Sequence, residues 1–314
     1  MIKTLLNRLP FLNINSHPSA MVGLVVQHLQ ITAVCLVPAQ QQWVVEQKVT
    51  QEFQNETDLL SAIADCLQQF DKYQGQSAVV LPSNMYQLVQ MDKPQLSELE
   101  IQQSLQWTVK DLVTINPADI IADYIDNPIK QGPLDKISVF VSNRSLISPL
   151  IDVVNQSDAP LSLLTCDEMI IASLVGKQSA ANLIVSQEVA QEPSLLIVRD
   201  GCVLFSRRLR GFSRLSDMSL EELAHGMLDS LSLEVQRSID FFESQLKQPP
   251  LKSILIRIPS TCLAEIVAQF GQYFPVKVQA VKSELPICQG HEEQYHFAIA
   301  AAAELIEGGN EESD

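Results

Sequence analysis

Glycine is scarce in this chain, with 11 residues in 314. Phosphate cradles need backbone N–H groups that approach a ligand closely, and a missing side chain is what permits that approach. Neither Gly-x-Gly-x-x-Gly nor Gly-x-x-x-x-Gly-Lys-Ser/Thr occurs, which excludes the dinucleotide fingerprint and the P-loop. Positive charge is also short, 21 Lys and Arg against 37 Asp and Glu, for a formal net charge of −16. Binding nucleic acid by counterion release needs clustered cations. The densest group, Arg207, Arg208, Arg210 and Arg214, reads as the solvated end of a strand. The six cysteines form no Cys-x-x-Cys pair, which leaves zinc ribbons and thioredoxin-like chemistry unsupported. Most of them lie in apolar segments as small hydrophobes, in keeping with a reducing compartment. No segment approaches 18 uninterrupted apolar residues, and the stretch near Phe297–Ala303 is too short to span a bilayer.

Catalytic and metal signatures are equally thin. His17, His28, His225, His291 and His296 have no partners at ligand spacing. Asp119, Asp123 and Asp126 read as a solvated strand edge rather than a cation site. There is no Gly-x-Ser-x-Gly elbow and no His-Glu-x-x-His. Met1 to Leu12 mixes Lys3 and Arg8 with Leu and Phe but is broken by Asn7 and Pro10. It reads as an N-terminal extension (residues 1–20) rather than a signal peptide, with a partner or membrane-surface contact as a further reading.

What is present is enough apolar material, 46% of the chain, for two domains or one nested unit. Met21–Gln27, Ile31–Val37 and Gln41–Val49 read as a three-strand meander. A helix over Glu56–Phe70 and a strand over Ser77–Leu81 complete a β-β-β-α-β order. Residues 85–157 read as an inserted β-α-β-β-α unit. Ser97 and Glu100 form a capping box for its first helix, and Ser148-Pro149 opens its second. From 158 the order β-β-β-α-β returns, with Asp200-Gly201 as a hairpin turn and Ser219-x-x-Glu222 as a second capping box. The long helix that follows carries Leu231, Val235, Ile239 or Ser238, Phe242 and Leu246 on one stripe, interrupted upstream at Gly226 and ended by Pro249-Pro250. A final Ala-rich helix covers Tyr295–Ile306, and residues 307–314 read as a disordered acidic tail.

Two halves with one element order imply a duplicated α/β fold. Three stretches carry a resemblance: Met91-Asp-Lys-Pro-Gln-Leu-Ser-Glu-Leu-Glu-Ile, Leu195-Leu-Ile-Val-Arg-Asp-Gly-Cys-Val-Leu-Phe-Ser-Arg-Arg-Leu and Glu234-Val-Gln-Arg-Ser-Ile-Asp-Phe-Phe. In order and spacing the chain resembles the PilM family of type IV pilus assembly proteins, relatives of FtsA. Within that family it is most similar to the MshI proteins of mannose-sensitive haemagglutinin (MSHA) pilus biogenesis. The resemblance implies an actin-like ATPase (ribonuclease H-like) fold, with a first lobe at 21–84, the insert at 85–157 and a second lobe with C-terminal helix at 158–306.

The family's first phosphate loop reads roughly Gly-x-Asp-x-Gly. Here Gly23 keeps the first glycine, Val25 stands at the Asp position and Gln27 at the second glycine. Between Ala181 and Gly201 the only Asp-Gly is the one used by the hairpin, and Arg257-Ile-Pro-Ser-Thr261 lacks the third glycine turn. These losses set the expectation of no ATP hydrolysis and no cofactor, with ATP and Mg²⁺ entering only in an alternative, weakly active switch. Glu234, Arg237 and Asp240 stand where an adenosine pocket would be; remnants of that pocket, or polar pairs within the helix or between lobes, are the two readings.

By resemblance, the chain is a non-catalytic cytoplasmic scaffold, peripheral to the inner membrane of a Gram-negative bacterium. Its partner would be a PilN-like (MshJ-like) membrane protein, whose cytosolic N-terminal peptide lies in a groove between first lobe and insert; an assembly ATPase is a further implied partner. Trp107, Tyr86 and Leu105 are the candidate peptide contacts, with packing as the other reading of Trp107. A GspL-like type II secretion scaffold shares the fold. Its chains carry a membrane span and periplasmic domain that the sequence to Asp314 does not show, an expectation against that alternative.

Overall fold

The structure is a computed structural model that describes residues 19–40, 42–130 and 134–311. Most of the expected N-terminal extension and the last three residues lie outside the described residues. The chain divides into two compact units. The first comprises residues up to Ile170 and from Leu285 onward, and the second comprises Ile171–Glu284.

In the first unit, β1 (Ala20–Gln27), β2 (Gln30–Ala39) and β3 (Gln42–Glu52) form the antiparallel meander. Helix α1 (Leu59–Gln68) leads to β4 (Gly75–Leu81), which lies parallel to β1. The chain then leaves through β5 (Gln87–Asp92), α2 (Glu98–Thr108), β6 (Ile120–Asp126) and β7 (Lys136–Asn143). It returns through α3 (Arg144–Asn155) and β8 (Leu161–Cys166) into α4 (Asp167–Val175), where the second unit begins.

The second unit holds β9 (Asn182–Ser186), β10 (Ser194–Arg199) and β11 (Cys202–Arg208). The single turn α5 (Leu220–Glu222) runs through a π-helical stretch at Leu223–Met227 into α6 (Leu228–Asp240). Strand β12 (Ser253–Arg257), helix α7 (Leu263–Tyr273) and strand β13 (Lys277–Ala280) complete it. Helix α8 (His296–Glu311) belongs to the first unit again.

The two five-stranded sheets share one topology. Their orders are β3-β2-β1-β4-β8 and β11-β10-β9-β12-β13, with matching parallel and antiparallel pairs. The insert contributes a three-stranded antiparallel sheet, β5-β7-β6.

Four expectations are corrected. Residue 158 is not a lobe boundary, because β8 extends the first sheet beside β4 and α8 packs on β1, β2 and β4. Helix α3 does not belong to the insert. Its Ile147, Leu150, Ile151 and Val154 join the first unit's core with Ile63, Cys66 and Leu67 of α1. That helix also starts before Pro149, since Asn143 caps it by accepting from the Ser145 N–H at 2.9 Å. Pro149 therefore lies inside the helix, where it removes one backbone hydrogen bond. Finally, residues 307–311 continue α8 rather than beginning a tail.

Alternation sorts each strand. Val22, Leu24 and Val26 of β1 face the α1–α3 core, whereas Gly23 faces α8. A Cβ on Gly23 would lie 1.9 Å from the Ala298 carbonyl oxygen, so the glycine lets the helix backbone approach the sheet. Ala298, Ala300, Ala301 and Ala302 are fully buried, which explains the alanine-rich composition of α8. Cys35 and Cys66 lie in the same core, and burial pushes both thiols up to about 12. The insert closes its own smaller core, with Ile101, Leu105 and Val109 packed on Ile120, Ile137, Val139 and Val141.

Candidate functional site

The positions that would hold phosphates are built for other purposes. Gly23, Val25 and Gln27 all lie within β1, not in a loop. Val25 is 1% exposed and has no atom that could ligate a metal. The turn between β1 and β2 is only His28-Leu29, with Leu29 at φ +55° in place of a glycine.

The loop joining β9 to β10 carries Gln187-Glu188-Val189-Ala190-Gln191-Glu192-Pro193. The buried Gln187 Nε2 donates to the carbonyls of Gln191 at 2.9 Å, Phe212 at 3.1 Å and Ser213 at 2.9 Å. The Glu192 carboxylate accepts the N–H groups of Gly211 at 3.0 Å and Phe212 at 2.9 Å. The Glu192 carboxylate thereby ties this loop to the turn after β11. After β12, Ser260 Oγ accepts from the Cys262 N–H at 3.1 Å, and Pro259 has no N–H to offer. Taken one by one, these loops do not fit a magnesium nucleotide.

Helix α6 keeps its apolar stripe, with Leu231, Val235 and Phe242 fully buried. Ser238, not Ile239, fills the intervening place. Its hydroxyl accepts from Arg207 Nε of β11 at 2.9 Å, while the Arg207 Nη2 donates to the Glu234 carboxylate at 2.8 Å. Glu234 also pairs with Arg237, and Asp240 accepts from Gln236 Nε2 at 2.8 Å. Of the two readings for Arg237 and Asp240, polar pairing within the helix describes what these side chains do here. Arg207 is correspondingly part of a strand-to-helix clamp rather than a solvated strand end.

A cleft opens elsewhere, in the first unit between its five-stranded sheet and the insert. About 360 Å³ of empty space, part of it open solvent at the mouth, lies between its walls. Leu81 at the end of β4, Tyr86, Ile121 of β6, Phe140 of β7, Ile147 of α3 and Leu164 of β8 line it. The wall is apolar because strand alternation turns Ile121 and Phe140 toward the first sheet, while Ile120 and Val139 turn toward α2. The rings of Tyr86 and Phe140 lie 6.1 Å apart, and the Tyr86 hydroxyl donates to the buried Glu168 carboxylate. Ser142 Oγ donates to the Met85 carbonyl at 2.5 Å, tying β7 to the segment before β5. Strands β6 and β8, which border this cleft, are both edge strands of their sheets.

The three candidate peptide contacts are not brought together. Tyr86 lines the cleft, Leu105 is 1% exposed in the insert core, and Trp107 is 57% exposed on the side of α2 away from the sheet. Ile121, Phe140, Ile147 and Leu164 carried no signal in the sequence, being ordinary members of alternating apolar segments. The acidic series is corrected at one member: Asp119 and Asp126 are exposed, Asp126 at the end of the edge strand β6 where it pairs with Lys93 at 2.6 Å, but Asp123 is buried at 1% exposure. The His296 ring meets the His291 carbonyl at 2.9 Å.

By sequence, no protein-family model and no curated protein matches the chain. By structure it is similar to a chain of the PilM–PilN type IV pilus biogenesis complex, with TM-score 0.65, 13% identity, and 92% of this chain and 98% of that one covered. It is also similar to the cytoplasmic domain of EpsL, an inner membrane component of the type II secretion system of Vibrio cholerae. The values there are TM-score 0.53, 12% identity, and coverage of 92% and 95%. A Bacteroides thetaiotaomicron protein of unknown function with an actin-like ATPase fold follows at TM-score 0.51 and 8% identity, covering 85% and 93%. The chain has the actin-like ATPase fold.

Proposed function

We propose that this chain is a non-catalytic scaffold of type IV pilus biogenesis, of the MSHA kind, that captures the cytosolic N-terminal peptide of a PilN-like inner-membrane protein. The observation that carries this reading is the apolar cleft bordered by two sheet edges. An extended peptide supplies backbone hydrogen bonds to such an edge and places alternate side chains in the pocket. The likeness to a chain of the PilM–PilN complex supports the choice of partner, and the likeness to EpsL supports a scaffold role at an inner membrane. In this reading the membrane protein is the partner, and no helix among the described residues of this chain is long and apolar enough to cross a membrane. The expected first phosphate position lies inside β1, with Gly23 against the α8 backbone and Val25 in place of a ligating side chain, which supports a scaffold without ATP turnover.

Isothermal calorimetry with the partner's cytosolic tail tests the reading. Ile121 is only half-buried, so Ile121→Ser should fold normally while weakening the peptide by about tenfold, the scale of one lost apolar side chain. Equal affinity of Ile121→Ser and the unaltered chain would remove the cleft from the interface. Because Trp107 lies away from the cleft, Trp107→Ala should leave this affinity unchanged.

A further inference from the structure

The cleft is an apolar surface with a mouth open to solvent. The chain carries an apolar segment of its own that the fold does not account for. Residues 1–18 lie outside the described residues. Their sequence sets Leu5, Leu6, Leu9, Phe11, Leu12 and Ile14 beside Lys3 and Arg8. All 37 Asp and Glu of the chain lie beyond this segment, which makes it a cationic stretch on a chain of net charge −16. Such a stretch is attracted to the rest of its own molecule. The connection is also long enough. The Ser19 N–H donates to the Gln74 carbonyl, so the segment meets the sheet at the start of β4. Strand β4 reaches the cleft at Leu81, about 20 Å further on at the rise of a β-strand. The chain from Leu9 to Ser19 can extend over about 33 Å.

We propose that residues 1–18 occupy the cleft in cis, so that a partner's peptide must displace them. The inference rests on the cleft being a peptide site, the reading given under the proposed function. Tethering favours this occupant over the same segment of a second copy, because a short tether supplies an effective concentration on the order of millimolar. Charge favours it over a lipid surface. Two cations bind anionic lipid weakly, and a body of net charge −16 is repelled by it. A tethered segment whose own affinity is about 0.1 mM would weaken the partner about tenfold, since only the unoccupied fraction of the cleft is competent.

A fluorescein-labelled peptide of residues 1–18, titrated into the full chain and followed by anisotropy, tests this. Leu5→Ser combined with Leu9→Ser in the full chain disables the tethered copy. The labelled peptide should bind that variant at least tenfold more tightly than the unaltered chain, and adding Ile121→Ser in the cleft should remove the gain. Circular dichroism checks that Ile121→Ser is folded, and Ile121→Thr replaces it if it is not. Binding that ignores the Leu5 and Leu9 changes, or that ignores the change at Ile121, overturns the proposal. So does a labelled peptide that binds phosphatidylglycerol vesicles but not the chain. Self-association of the unaltered chain, seen by sedimentation and abolished by the Leu5 and Leu9 changes, overturns it too, because the segment then sits on a second copy. The partner's tail separates the two readings. A tail that binds with or without the Leu5 and Leu9 changes equally well removes the tethered occupant and leaves the partner site standing. A labelled peptide that fills the freed cleft and that the tail does not displace removes the partner and leaves the tethered occupant.

Discussion

Gly23 is the glycine expected from the sequence to open a phosphate loop, yet a Cβ there would meet the backbone of Ala298 and Ala302. The residue type was legible in the sequence, but its purpose was not, because the helix that demands it lies at the far end of the chain. Gly23→Ala should cost about 3 kcal/mol or more, since the added methyl meets rigid helix backbone rather than a movable side chain. Urea denaturation of the full chain measures it, and a cost below about 1 kcal/mol would mean α8 does not press on β1 in solution. The same limit governed Trp107 and Leu105. Both sit on one helix two residues apart, and helical geometry places one outside and the other in the core.

Helix boundaries were readable wherever the stop and start signals are local. The Ser97–Glu100 and Ser219–Glu222 capping boxes form as the sequence implies. The Asp200-Gly201 hairpin also forms, with φ of +52° and +74° as a type I′ turn requires. At Gly226 the backbone reaches φ +96° and breaks the helix between α5 and α6. The capping boxes carry a pH signature. Hydrogen bonds from the Ser219 N–H and hydroxyl hold the Glu222 carboxyl below the usual glutamate range, and the Ser97 hydroxyl and N–H do the same for Glu100. A carboxyl whose folded value lies below its unfolded value stabilises the fold at pH above the unfolded value. That contribution fades as pH falls through the folded one. Glu222→Ala should therefore lower the melting temperature at neutral pH, and its difference from the unaltered chain should shrink on acidification. A difference independent of pH would remove the carboxylate from the cap. Helix α3 was misplaced because its cap, Asn143, is the last residue of a strand, whereas Pro149 gave a louder but false start signal.

At the scale of the molecule, a thermal shift distinguishes a scaffold from a nucleotide switch. A ligand at ~100 times its dissociation constant stabilises by about 2.7 kcal/mol, which raises the melting temperature of a protein this size by several degrees. Millimolar Mg-ATP should leave it unchanged, and a rise of several degrees would restore the switch reading. The duplicated order of strands and helices was determined by the sequence alone, because hydrophobic period and turn chemistry are local properties. The scarcity of glycine was likewise enough to set aside the common phosphate cradles. Only the tertiary structure decided that β8 and α8 complete the first sheet's packing, that α3 leaves the insert, and that an apolar cleft opens between insert and sheet. Each of these depends on contacts between residues far apart in the chain, and the local pattern of an apolar strand is the same whichever surface it finally faces.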